Sequence, residues 1–372
     1  MDVINGWLMM NGRAGNVSSF YKIIILVYAF FLILRKTDIK LLVFVYLLAF
    51  SFFFQMLFLN AKTGLSGNDY AKLLFPVVLL FVFKDLDSEE KNNCIHTVLQ
   101  FYCWFYPLSI LIPTVLGIGF HTYGTDGFGF KGFYYAGNEL AGVMLILLAY
   151  TFQCYASDHQ KKNLFLLFLM MFTCIIIGMK SLYLGMIVLV VAFIIHLARG
   201  RNTIFWFVPT VILVGVLLVF MLKSEFIKDF ILVQKARFTY RIKGMYENEF
   251  LAFMLSGRND TVIKSFQGLW KYGGVLGILW GIGMEKSIEI AGKITEMDFF
   301  DLFLWNGLLA AIWYFYLLGT ELLRDFKSKN KFAKIGILLL IAFAFLAGHV
   351  FYAPSVMIPI VLVCFDSAVD GI

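Results

Sequence analysis

Charge is scarce in this chain. Only 15% of its 372 residues are Asp, Glu, Lys or Arg, where a soluble domain carries about a quarter. Cysteine is sparse too: Cys94, Cys103, Cys154, Cys174 and Cys364 are odd in number, and no CxxC occurs. That excludes a disulfide framework or a cysteine zinc site. The five histidines, His96, His121, His159, His196 and His349, stand singly, with no HxxxH or HExxH, so neither a metal nor another cofactor is expected. No small-residue cleavage site follows the first apolar run, near Tyr21, so no cleavable signal peptide is expected. Alternating apolar and polar residues are missing as well, which excludes a β-barrel.

What is present is apolar surface. Hydrophobic residues make up 61% of the chain and aromatics 18%, and the mean hydropathy is +0.83. No single core hides that much, so lipid must solvate most of it. Apolar runs of about 18–20 residues, long enough for a ~30 Å hydrocarbon layer, recur along the chain. The expected fold is an all-α polytopic membrane protein forming a single membrane domain, 1–372. Spans are expected near 18–34, 41–59, 70–84, 94–119, 133–153, 163–179, 181–198, 203–222, 299–322, 334–352 and 354–369.

Short-loop lysines and arginines orient the spans. Arg35, Lys36 and Lys40, then Lys84 and Lys91, Lys161 and Lys162, Arg199 and Arg201, and Arg324 to Lys334 fall in alternate loops. Those loops are expected to be cytoplasmic, with the N-terminus outside and the C-terminus inside; the alternative for residues 1–17 is a short interfacial helix, which leaves the side of the N-terminus open. The long segment 223–298 is then a large extracytoplasmic loop. Its "SEFIKDFILVQKARFTYRIKGMY" has the mix of an interfacial helix, and "YGGVLGILWGIG" that of a re-entrant turn packed on protein. No internal repeat is visible, which weighs against a transporter.

Some charges are not explained by topology. In "FGFKGFYYAGNELAGVMLILLAY" (128–150), Lys131, Asn138 and Glu139 stand at the mouth of an apolar run. Lys180 lies in "IIGMKSLYLGM", between two runs with almost no loop around it. A charge at that depth costs roughly 2.5–3.5 kcal/mol unless solvated or paired. Arg237 and Arg241, four residues apart, share a face if helical, and Arg258 follows in "LSGRND". Guanidinium forks and ammonium groups both suit phosphate oxygens. Glu296, Asp298 and Asp301 open the run at 299–322 on the same expected side, and His349 closes the run before 354. Each has a plainer reading: snorkelling for the lysines, lipid headgroup contact for Arg237 and Arg241, helix capping for Asp298. Asn138 can instead satisfy a neighbouring helix backbone, and His349 can be an interfacial histidine. Together they describe cations and carboxylates at one membrane-level site. That suits a lipid diphosphate and proton transfer from a sugar hydroxyl.

"KGFYYAGNELAG", "GMKSLYLG" and "LSGRNDTVIKSFQ … LWGIGMEKSIEI … EMDFFDLFLWNGLLAAIWY" resemble, in that order, motifs of the O-antigen polymerase and ligase superfamily over roughly residues 125–350. The resemblance implies a glycosyltransferase at the outer face of the bacterial cytoplasmic membrane. It polymerises undecaprenyl diphosphate-linked repeat units into a surface polysaccharide, such as O-antigen or capsule, without a cofactor. The implied partners are the lipid-linked glycans, the bilayer and a chain-length regulator, with no nucleic acid. Lys131, Lys180 and Arg258 match basic positions around the diphosphate, with Arg237 or Arg241 assisting. Asp298, Glu296 or His349 is the expected catalytic group, and Asn138, Glu139 and Asp301 are expected to contact substrate. Ligase-type members carry a histidine where this chain has Glu296 to Asp298, which favours a polymerase. The alternatives are a lipid-linked oligosaccharide flippase or exporter and an O-antigen ligase.

Overall fold

The structure, a computed structural model, describes residues 1–13, 17–34, 38–59, 63–85, 88–123, 128–198, 257–322 and 331–366, with a few isolated positions between 232 and 255. The expected span at 203–222 and the pair Arg237 and Arg241 lie outside the described residues.

The protein is an all-α membrane protein. In chain order the helices are α1 (Asp2–Met10), α2 (Val17–Leu34), α3 (Ile39–Leu59), α4 (Thr63–Asp85), α5 (Ser88–Val115), α6 (Gly137–Asp158), α7 (Lys161–Ile177) and α8 (Lys180–Ala198). After the undescribed stretch come α9 (Arg258–Gly268), a π-turn (Leu269–Gly273), α10 (Gly274–Trp280) and α11 (Met284–Ala291). The chain ends with α12 (Asp298–Leu322), α13 (Lys331–Ala347) and α14 (Pro354–Phe365). Among the described residues, five stretches are long and apolar enough to cross a membrane: Ile39–Leu59, Asn93–Val115, Gly137–Asp158, Lys180–Leu197 and Asp298–Thr320. The run expected from residue 133 begins as a helix only at Gly137, because 128–136 is used to build a loop.

Helix α6 is the axis of the fold. It is apolar on every side, as a helix surrounded by others must be, and residues 140–154 are all buried. Small residues on its neighbours let backbones close in. A Cβ at Gly336 of α13 would lie 2.6 Å from Ala149, and one at Gly185 of α8 would lie 2.4 Å from Leu145. A Cβ at Gly142 of α6 itself would meet Val356 of α14 at 2.9 Å.

Two polar ends flank this core. At one, the starts of α6, α8, α12 and α14 meet the ends of α5, α7 and α13: Phe130 N–H donates to the Ile176 carbonyl at 2.9 Å, and Phe351 N–H to Asp298 at 2.8 Å. At the other, Tyr150 Oη donates to Asp366 at 2.8 Å with His96 at 3.5 Å from the same oxygen, and Lys84 faces Asp38 at 3.9 Å. The segment "YGGVLGILWGIG" packs on protein: Gln55 and Ser51 of α3 both donate to the Trp280 carbonyl, at 3.1 and 2.6 Å.

Candidate functional site

The loop before α6 comes first. Phe120 N–H donates to Gly132 O at 2.6 Å, and Lys131 N–H returns to Phe120 O at 3.0 Å. This small antiparallel loop seats Gly132 against α5 with φ +58, and a Cβ there would lie 2.8 Å from Ser109 O. Only glycine accepts both conditions. Lys131 itself turns back: its ammonium donates to Tyr135 O at 2.7 Å and lies about 6 Å from the Phe120 and Tyr135 ring centres. Burial pulls its pKa below the usual lysine value.

Helix α7 then ends at Gly178, φ +74, and α8 starts two residues later with Lys180. Helix α9 starts with Arg258 after Gly257, φ +74, and α6 carries Asn138 as its second residue. Asn138, Lys180 and Arg258 line one cavity of about 280 Å3, whose other walls include Leu145, Leu339 and Phe343. Both cations thus stand at helix amino-termini, where the macrodipole is already positive. Cations are disfavoured there unless an anion joins them, and helix amino-termini with nearby cations are a standard setting for phosphate. The apolar walls beside them suit a lipid-like moiety.

Arg258 is held from two sides. Nη2 contacts Glu296 Oε2 at 2.6 Å and Nη1 donates to Leu346 O at 3.1 Å, while buried Nε has no hydrogen-bond partner. Glu296, half-exposed, has φ +57, and the neighbouring strap repeats the strain at His349 (φ +59), next to Gly348 (φ +55). A non-glycine residue at positive φ is held by its surroundings and points to a function for the segment. The two strained segments touch: a Cβ on Gly348 would lie 2.3 Å from the Glu296 carbonyl carbon.

Asp298 fastens that strap. It is fully buried, and its carboxylate accepts the backbone N–H groups of His349, Val350 (2.8 Å) and Phe351 (2.8 Å). Asp301 is also buried and accepts Met297 N–H at 3.0 Å. His349 is half-buried, with Nδ1 3.0 Å from Tyr352 Oη. Burial pulls its pKa below the usual value; Glu139 and Glu296 push it up, and Lys72 and Arg258 pull it down. Glu139 belongs to a second cavity of about 210 Å3, where Ser355 Oγ donates to it at 2.5 Å.

Of the residues singled out from sequence, Asn138, Lys180 and Arg258 therefore share one cavity, with Glu296 tied to Arg258. Asp298 and His349 meet through backbone, Glu139 lines the other cavity, and Lys131 engages the loop that carries it. Asp2, Lys22 and Ser355 were missed. Each reads in sequence as an ordinary helix-end residue, and only the packing of α1, α2 and α14 groups them.

The family model described as "O-antigen ligase like membrane protein" matches residues 6–228. The chain belongs to that family. It is accordingly a membrane enzyme of O-antigen or related polysaccharide assembly. No curated protein and no solved structure matches the chain. The part matched to the O-antigen ligase-like family carries Lys131, Asn138, Glu139 and Lys180, and stops before Arg258, Glu296, Asp298 and His349.

Proposed function

We propose that the protein transfers a glycan from a lipid diphosphate to a second lipid-linked glycan, as a surface-polysaccharide polymerase. The observation that carries this is the convergence of Lys180 and Arg258, each opening a helix, with Asn138 in one partly apolar cavity. In this reading Lys180 and Arg258 hold the donor's diphosphate, and the unpartnered Nε of Arg258 supplies a further donor. The acceptor's hydroxyl oxygen attacks the anomeric carbon and the bond from that carbon to the diphosphate breaks. The lipid diphosphate leaves with the bonding pair, its charge offset by the two cations. The hydroxyl proton goes to His349, which burial keeps neutral and so able to accept it. Glu296 orients Arg258, and Asp298 positions the strap that bears His349. The active end would face outward, where the undecaprenyl diphosphate-linked units and a chain-length regulator would meet it.

A second reading, ligation to a different lipid acceptor, is favoured by the family description itself. Purified protein given lipid-linked repeat units separates them. A ladder of lengthening glycans is expected. Product only when a core-oligosaccharide lipid is added would mean ligase, and no new glycosidic bond with either would overturn both readings. Arg258→Ala should lose about 10²–10³-fold in rate, the usual cost of removing one preorganised charge-stabilising group. Arg258→Lys should recover part of it.

A further inference from the structure

Asn138 and Glu139 are adjacent in α6, yet they line different cavities that share no wall residue. The cavity at Glu139 is walled on one side by α1 and α2, which contribute Asp2, Asn5, Ser19 and Lys22, and it is also lined by Tyr106 and Tyr134. Its chemistry differs from that of the Arg258 cavity. Asp2 takes hydrogen bonds from Ser18 and from Lys22 Nζ (2.9 Å). Burial pushes the Asp2 carboxyl up, but Lys22 and Ser18 outweigh it and hold the pKa below the usual value, so the pair is an ion pair. Two carboxylates, Asp2 and Glu139, stand against two lysines, Lys22 and Lys72. No positive surplus is left for a phosphate.

What the cavity does offer is mixed donors and acceptors. Asn5 Oδ1 is buried with no hydrogen-bond partner, and its amide nitrogen reaches only Met9 sulfur, at 3.8 Å. A buried carboxamide oxygen left unpaired is unfavourable, and a ligand hydroxyl would satisfy it. Tyr106 and Tyr134 stack at 5.6 Å between ring centres and supply aromatic surface beside these polar groups. The volume, about 210 Å3, leaves room for a sugar ring.

We infer that this cavity is a saccharide subsite, taking an uncharged polyhydroxylated ring at the attacking end of the acceptor glycan. The inference rests on the transferase reading above. A donor sugar is covalently joined to its diphosphate and must stay on the Arg258 side of α6. The acceptor is a separate molecule and can approach from the other side. His349 lies on the strap between the two cavities: Leu346, three residues before it, lines one, and Ser355, six residues after it, lines the other. The attacking hydroxyl and the departing diphosphate would meet there.

The test uses the full chain in nanodiscs and two probes: the repeat-unit oligosaccharide freed from its lipid by mild acid, and sugar-free undecaprenyl diphosphate. Asn5→Trp and Ser19→Trp each fill the cavity, from α1 and from an exposed position on α2. Each should weaken oligosaccharide binding about ten-fold or more, equal to about 1.4 kcal/mol, and leave lipid-diphosphate binding unchanged. Retained lipid-diphosphate binding also shows that the variants fold. Arg258→Ala should do the reverse. Absence of oligosaccharide binding by the unmodified protein, or binding untouched by Ser19→Trp, would overturn the subsite. If the tryptophan variants behave as expected but Arg258→Ala still binds the lipid diphosphate, the subsite stands and the assignment of the Arg258 cavity fails.

Discussion

At the scale of single residues, Asp298 shows how position changes the meaning of a side chain. A carboxylate at the start of a membrane helix reads equally as a base or a cap. The structure gives it a third task, holding three consecutive N–H groups of another segment. Aspartate does this because both oxygens only accept. Asparagine would turn an amide N–H₂ towards at least one backbone donor. Asp298→Asn is therefore expected to lose about 1.5–3 kcal/mol, the worth of a hydrogen bond to a charged group, although asparagine caps helices as well as aspartate does. The measurement is a thermal midpoint of the solubilised protein alongside its transfer rate. Stability and rate should fall together, with glutamate no better than asparagine. An intact midpoint with lost activity would instead return Asp298 to the role of proton acceptor.

At the scale of elements, the break in α12 is the feature on which the loop region depends. Gly307 has φ +80 inside the helix, and a Cβ there would lie 2.2 Å from Leu279 O. Gly281, φ +77, mirrors it: its Cβ would lie 2.3 Å from Trp305 O. The carbonyls released by the break are not wasted. Leu304 O accepts Ile282 N–H at 2.9 Å, and Trp305 O accepts Gly283 N–H at 3.2 Å and Gln55 Nε2 at 2.6 Å. Irregular backbone survives in a membrane protein only when its polar groups are met in this way. Sequence showed an apolar, glycine-rich stretch too short to span. It did not show the interlock, because Gly281 and Gly307 are far apart in the chain and each alone reads as a flexible glycine. Gly307→Ala forces a methyl group into backbone and puts alanine in a positive-φ, extended conformation that essentially only glycine adopts, worth about 1–3 kcal/mol for the conformation alone. The expected result is a clear loss of folded protein after detergent extraction. Recovery equal to that of the parent would show that the break is not required.

At the scale of the whole molecule, the apolar runs were legible because a helix in lipid has little choice of length or pattern. The helices at 17–34, 39–59 and 161–177 fall within a few residues of where hydropathy puts them. The Arg258 cavity was partly legible, since Lys180 and Arg258 are costly enough in place to draw notice. The second cavity was not. Of its charged groups only Glu139 drew notice; Asp2, Lys22 and Lys72 sit on three other helices, and only packing brings them to it. Sidedness is the remaining global expectation, and it comes from the loop lysines and arginines alone. It can be checked by single cysteines in a background where exposed Cys94 is serine, the other four cysteines being buried. Lys293→Cys and Lys161→Cys both lie at exposed positions, one just before α12 and one opening α7. In intact cells a membrane-impermeant maleimide should modify the first and spare the second until the membrane is permeabilised. The proposed glycan transfer requires that order. In the proposed reading lipid-linked units are joined at the outer face, so labelling of Lys161→Cys in sealed cells would put the Arg258 cavity on the wrong side of the membrane for that function.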